Sequence, residues 1–167
     1  NLLILKKIAE TGKPIILSSG MSSYDELDAT IAFLKPFANP PSILQCTTAY
    51  PTKPEEWGLN VIADLKQRYK LPVGFSDHSG TINACLAAAA LGAEIFEFHV
   101  MFDKRQFGPD TPASITIDEA AALVKGIRQI RISLANSMDK TDNARFSTLK
   151  DIFEKSLAVN KNLPAGH

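Results

Sequence analysis

Short apolar runs rich in β-branched residues alternate with helical periodicities from Lys13 to Asn136, and this alternation constrains the fold more than any other feature of the chain. KPIILSSG (13–20) reads as a strand opened by Pro14 and closed by Gly20. In the segment after it, Leu27, Ile31 and Leu34 fall on one helical face behind a Ser23/Glu26 capping box. SILQCTTAY (42–50) is the second strand, and a proline-punctuated loop then leads to a helix carrying Leu59, Ile62 and Leu65. LPVGFS (71–76) is the third strand, followed by the alanine-rich helix INACLAAAALG with Gly92 as its stop. AEIFEFHVM (93–101) is the fourth. The polar loop FDKRQFGPDTPAS leads to a Thr116/Glu119 capping box and a helix with Leu123, Ile127, Ile130 and Leu134 on one face.

Four βα units in succession predict a parallel sheet with helical cover. An open doubly wound sheet and part of a (β/α)8 barrel both satisfy that pattern. ILSSGMSS lacks the G-x-G-x-x-G of a dinucleotide fold, which favours the barrel. A full barrel needs ~250 residues, and this chain has 167. The chain starts inside an amphipathic helix that stops at Gly12, and it has no initiator methionine, so a fragment of a longer protein is expected.

The formal net charge is zero, from 18 basic and 18 acidic side chains, with no long basic run. Nothing therefore favours nucleic acid or an anionic membrane as partner, although a basic pocket for a small anion is compatible with a neutral chain. No apolar run approaches the ~18 residues of a membrane span. Cys46 and Cys85 sit in apolar contexts and read as reduced core residues.

The chemistry gathers at strand ends. GFSDHSG closes the third strand with His78, and EIFEFHV closes the fourth with His99. Alternation puts Glu97 and His99 on one face, with Phe96, Phe98 and Val100 on the other. The aromatic face should pack on helices, which turns His99 inward; Ser76 and His78 share parity in the same way. A single histidine at a strand end is commonly just a hydrogen-bonded residue. Two inward imidazoles on strands ~4.8 Å apart can reach one ion, and such a set suits Mn²⁺, Zn²⁺ or Fe²⁺. Glu97 is then a third ligand or an orienting partner. Asp77, of opposite parity, reads as a loop cap or helix-packing residue. Ser18, Ser19, Thr47, Thr48 and Tyr50 place hydroxyls at the first two strand ends, where a phosphate or carboxylate could be held; capping is their ordinary alternative role. Asp110 lies in a Gly-Pro-Asp turn that leaves the His99 strand directly, so it can reach over the site. Trp57 and the run KPEE are expected to cover the next helix start and carry no catalysis.

Taken in order, ILSSGM, QCTTAYPT, GFSDHSG, EIFEFHVMFDK and FGPDTPAS resemble the sialic acid (N-acetylneuraminate) synthases, a family that includes legionaminic acid, pseudaminic acid and spore-coat polysaccharide synthases. The resemblance implies the C-terminal half of a (β/α)8 TIM barrel over residues 1–136. A linker and short helix would follow over 137–156, and the truncated start of an antifreeze-like (SAF) domain over 157–167. It implies condensation of phosphoenolpyruvate with an N-acetylated hexosamine, giving a nine-carbon 2-keto acid and phosphate. His78 and His99 would bind a divalent metal, Mn²⁺ or Mg²⁺; Ser18 and Ser76 would contact phosphoenolpyruvate; Tyr50 and Asp110 would contact the sugar. Thr48 stands where relatives carry an asparagine that touches phosphoenolpyruvate, and Phe98 where they often carry arginine. A cytoplasmic location and a homodimer in the full-length protein are implied as well. The family's lysines and acid lie largely in the first half of the barrel, so an isolated fragment is expected to be inactive. Two other readings fit the residues: a different two-histidine metal aldolase or hydrolase, and a non-catalytic barrel module.

Overall fold

The computed structural model describes every residue except Ala38, Leu157 and His167. The residues expected to carry helices and strands do so, alternating from α1 through β4. Strand β1 (Ile16–Ser18) follows helix α1 (Leu2–Glu10), and α2 (Tyr24–Leu34) leads to β2 (Ser42–Cys46). Then come α3 (Leu59–Tyr69), β3 (Val73–Asp77), α4 (Asn83–Ala90), β4 (Phe96–Met101), β5 (Ser114–Thr116) and α5 (Ile117–Ala135). All strand pairs are parallel, and the order is β1-β2-β3-β4-β5. The four-strand expectation is thus corrected to five. SIT is too short for alternation to be visible, and it runs straight into the capping box of α5.

Residues 1 to 135 form one compact unit, an open parallel sheet whose α3, α4 and α5 pack against it. The main core lies between sheet and helices. Ile43, Val73, Phe75 and Ile115 face Ile62, Leu65, Ala88 and Leu123, all buried. The other face of the sheet carries Ser18, Leu44, Cys46, Gly74, Ser76 and Glu97, matched by the register. The period-two inference for β4 holds: Phe96 and Phe98 pack on the core, and Glu97 is exposed. Leu134 departs from the expected buried stripe of α5, being exposed where Leu123 is buried.

Small residues decide how closely the layers approach. On α4, Ala84, Cys85, Ala88 and Ala89 are all buried. A Cβ on Gly126 of α5 would fall inside 3.0 Å of Leu86 Cδ2, so that glycine lets α4 and α5 touch. Both predicted capping boxes form, Ser23 with Glu26 and Thr116 with Glu119. Ser23→Ala removes the oxygen that accepts from Glu26 N and should cost about 1 kcal/mol. Urea denaturation measures that loss, and an unchanged midpoint would mean the cap is energetically idle.

Residues 136 to 167 cluster as a second unit, with a 3₁₀ turn at Ala144–Phe146 and helix α6 (Ser147–Phe153). Within it the Arg145 guanidinium lies 4.6 Å from the Phe146 ring centroid. Of the 157–167 segment, Leu157 and His167 lie outside the described residues. No helix among the described residues is long and apolar enough to cross a membrane.

Candidate active site

Strand β3 ends at Asp77, and the next residue, His78, projects from its C-terminal end while remaining 4% exposed. The His78 carbonyl accepts from Thr52 N at 2.9 Å, which ties the loop after β2 to the end of β3. That tie brings Tyr50 onto the imidazole. The two rings stack with centroids 4.3 Å apart, and Tyr50 OH lies 3.3 Å from His78 Nε2. Cys46 Sγ lies 3.5 Å from the same nitrogen. His78 Nδ1 is sealed from solvent and has no hydrogen-bond partner among the described residues.

His99, on β4, meets His78 edge-on with centroids 5.0 Å apart, and Tyr50 lies 5.8 Å from it. The short strand β5 completes the group. Ser114 pairs with His99 in the register, and Ser114 Oγ donates to the Asp110 carbonyl at 2.7 Å. Asp110 is thereby hung over β4, with Oδ2 3.8 Å from His99 Nδ1. Lys104 fixes the same corner, donating to the Gly80 and Ser114 carbonyls at 3.0 and 2.5 Å, with Glu119 at 3.6 Å.

The electrostatics follow from this crowding. Burial, and then the neighbouring His99, hold the His78 imidazole below its ordinary pKa, which favours the neutral ring. Burial, with Cys46, Asp110 and Glu97 nearby, raises the Tyr50 phenol and keeps its proton on. Asp77 faces the other way. Its carboxylate accepts from Ser79 N and Oγ at 2.9 and 3.1 Å and lies 3.7 Å from Cys85 Sγ, which is the loop cap and helix contact its parity implied. Burial raises Asp77 despite the Ser79 hydrogen bonds, and pushes the Cys85 thiol up as well.

Among the residues proposed from sequence, His78, His99, Tyr50 and Asp110 form this one cluster. Ser76 is buried on the same face, paired in register with Cys46 and Glu97. Ser18 and Thr48 form a separate exposed corner about Gly20, whose Cβ would lie 3.9 and 3.7 Å from their hydroxyls. Cys46 is the residue that sequence reading missed. It is buried and reduced as expected, and it also lies beside His78, a contact that its apolar surroundings in sequence do not announce. Its parity with Ser42 and Leu44 on β2 was the available signal.

The donor set fits a divalent cation. With Nδ1 of the His78 imidazole sealed, Nε2, which has only two weak neighbours among the described residues, is the nitrogen a cation would take. Asp110 Oδ2 stands 3.8 Å from Nδ1 of His99, within ion-pair range but beyond hydrogen-bonding distance. Among the described residues, no group of three His, Cys, Asp or Glu side chains gathers closely enough to hold a metal. A cation here would have two protein ligands, with its remaining positions open to substrate oxygens and water.

Comparison with known proteins agrees with the motifs. The chain is similar to N,N'-diacetyllegionaminic acid synthase of Campylobacter jejuni, with 39% identity over 99% of this chain and 50% of that protein. It is similar to mouse N-acetylneuraminate-9-phosphate synthase, with 34% identity over 99% of this chain and 46% of that one. Among solved structures, the N-acetylneuraminic acid (sialic acid) synthetase of Leptospira borgpetersenii, crystallised with citrate, superposes with a TM-score of 0.79 at 32% identity. That match covers 91% of this chain and 53% of the other. The chain therefore spans about half the length of the curated relatives it matches. With the parallel half-barrel sheet and a match to the NeuB family over residues 1–139, the chain belongs to the NeuB family, the sialic acid synthase group.

Proposed function

We propose that this chain carries the cation- and acceptor-binding half of a synthase that condenses phosphoenolpyruvate with an N-acylated hexosamine of the N-acetylmannosamine kind. The observation that carries the reading is the convergence of His78, His99, Tyr50 and Asp110 at the C-terminal end of a parallel sheet. In the overall reaction, C3 of phosphoenolpyruvate bonds to the aldehyde carbon of the open-chain sugar. Water adds at C2, and phosphate leaves, giving a nine-carbon 2-keto acid.

His78 and His99 would hold Mn²⁺ or Mg²⁺, which when bound supplies Lewis-acid polarisation of the aldehyde oxygen. Asp110, 3.8 Å from His99 Nδ1, would help to orient that ring and, at 60% side-chain exposure, would offer an oxygen to a sugar hydroxyl. The Tyr50 hydroxyl keeps its proton and can donate to the acceptor. The Ser76, Ser18 and Thr48 hydroxyls, at or just beyond three strand ends, would contact phosphoenolpyruvate. Residues 157–167 would begin an SAF domain. The full-length protein would act in the cytoplasm as a homodimer.

Phosphate release by the full-length protein, given phosphoenolpyruvate and a panel of N-acylated hexosamines, tests the reading. Release that depends on both the acceptor and a divalent cation is expected. Turnover of an unrelated aldol pair, with none from phosphoenolpyruvate, would overturn it.

A further inference from the structure

His78 Nδ1 is sealed inside the protein, so a cation arriving from solution reaches this imidazole through Nε2. In the tautomer protonated at Nδ1 that nitrogen carries the ring's one lone pair, and Tyr50 OH lies 3.3 Å from it. The phenol ring stacks on the imidazole face at 4.3 Å, inclined by 28°, which holds its hydroxyl beside that nitrogen. Cys46, the other neighbour of Nε2, is 8% exposed and fixed as the last residue of β2. Tyr50 is 50% exposed and lies in the loop beyond that strand. Of the two groups crowding the nitrogen, only the tyrosine has room to leave.

We propose that Tyr50 is a removable cap on the cation-ligating nitrogen of His78, so that its hydroxyl and a divalent cation compete for one lone pair. Cation loading displaces the hydroxyl, and the freed phenol can then address an oxygen-rich second ligand in the same mouth. The site thus assembles in order, cation first and acceptor second. This inference rests on the two-histidine reading above.

Mn²⁺ binding to the full-length protein, followed by loss of the free-ion electron paramagnetic resonance signal, tests it without any turnover. Tyr50→Phe keeps the ring and its stacking and deletes the competing hydroxyl. It should bind Mn²⁺ about 2- to 10-fold more tightly than the parent, the span carried by one neutral hydrogen bond. Equal or weaker binding by Tyr50→Phe, in a protein with unchanged far-ultraviolet circular dichroism, overturns the cap. His78→Gln and His99→Gln separate that failure from a deeper one. If both bind Mn²⁺ as the parent does, the cation does not sit on these imidazoles, and the two-histidine reading falls together with the cap. Loss of binding in these two variants alongside tighter binding in Tyr50→Phe supports both.

Discussion

Gly80→Ala is expected to destabilise the fold by about 3 kcal/mol or more and to disorganise the site at the same time. Two independent penalties meet at this residue. Its φ is +70°, in the left-handed region where a side chain costs ~1–2 kcal/mol. A Cβ there would also fall well inside 3.0 Å of the Pro112 carbonyl oxygen, which is backbone and has no rotamer to escape into. The turn that contains Pro112 follows Asp110 directly, so moving it pulls the carboxylate away from His99. Gly12→Ala is the matched control. Its φ is +67°, and a Cβ there meets nothing within 4 Å. Chemical denaturation of the two variants isolates the collision from the backbone penalty. Equal losses would show that the close approach of the two loops contributes nothing.

His78→Ala should lower phosphate release by the full-length protein about 10²–10³-fold in kcat/KM, the loss of several kcal/mol of charge stabilisation. His99→Ala should do the same, because one imidazole alone is a weak ligand. The double variant should fall little further, since the two rings serve one ion and their contributions do not add. Asp110→Asn keeps the size of the side chain but loses the charge 3.8 Å from His99; if that charge orients the ring as proposed, about a 10- to 100-fold decrease is expected, rescued in part by excess cation. Cation rescue is the diagnostic outcome: a residue with a purely structural role would not respond to it. Wild-type rates in His78→Ala and His99→Ala would return the chain to the class of non-catalytic modules.

The layer structure was legible because burial imposes a period on the sequence. β2 and β3 read as strands and α2 and α3 as helices, and the Ser23 and Thr116 boxes marked two helix starts, because each is a local signal. Parity also put Ser76, His78 and His99 on one side and Asp77 on the other. What stayed hidden was set by pairing between distant segments. β5 is three residues long and exists through its ladder with β4, yet it is what suspends Asp110 over His99. Cys46 looked apolar in SILQC, and only the partner strand beside it shows that it borders a histidine. The Thr52–His78 tie that brings Tyr50 into place joins residues with no sequence relation.

The division of labour between the two faces of the sheet bears on how such a protein can change over generations. Ile43, Val73 and Phe75 hold the fold together from the helical side, whereas Ser18, Glu97 and His99 display their chemistry from the opposite one. Substitution at Ser18, Thr48 or Asp110, all exposed, leaves the packed layer untouched and carries little risk of unfolding. Innovation and robustness are thereby encoded at alternate positions of the same strands.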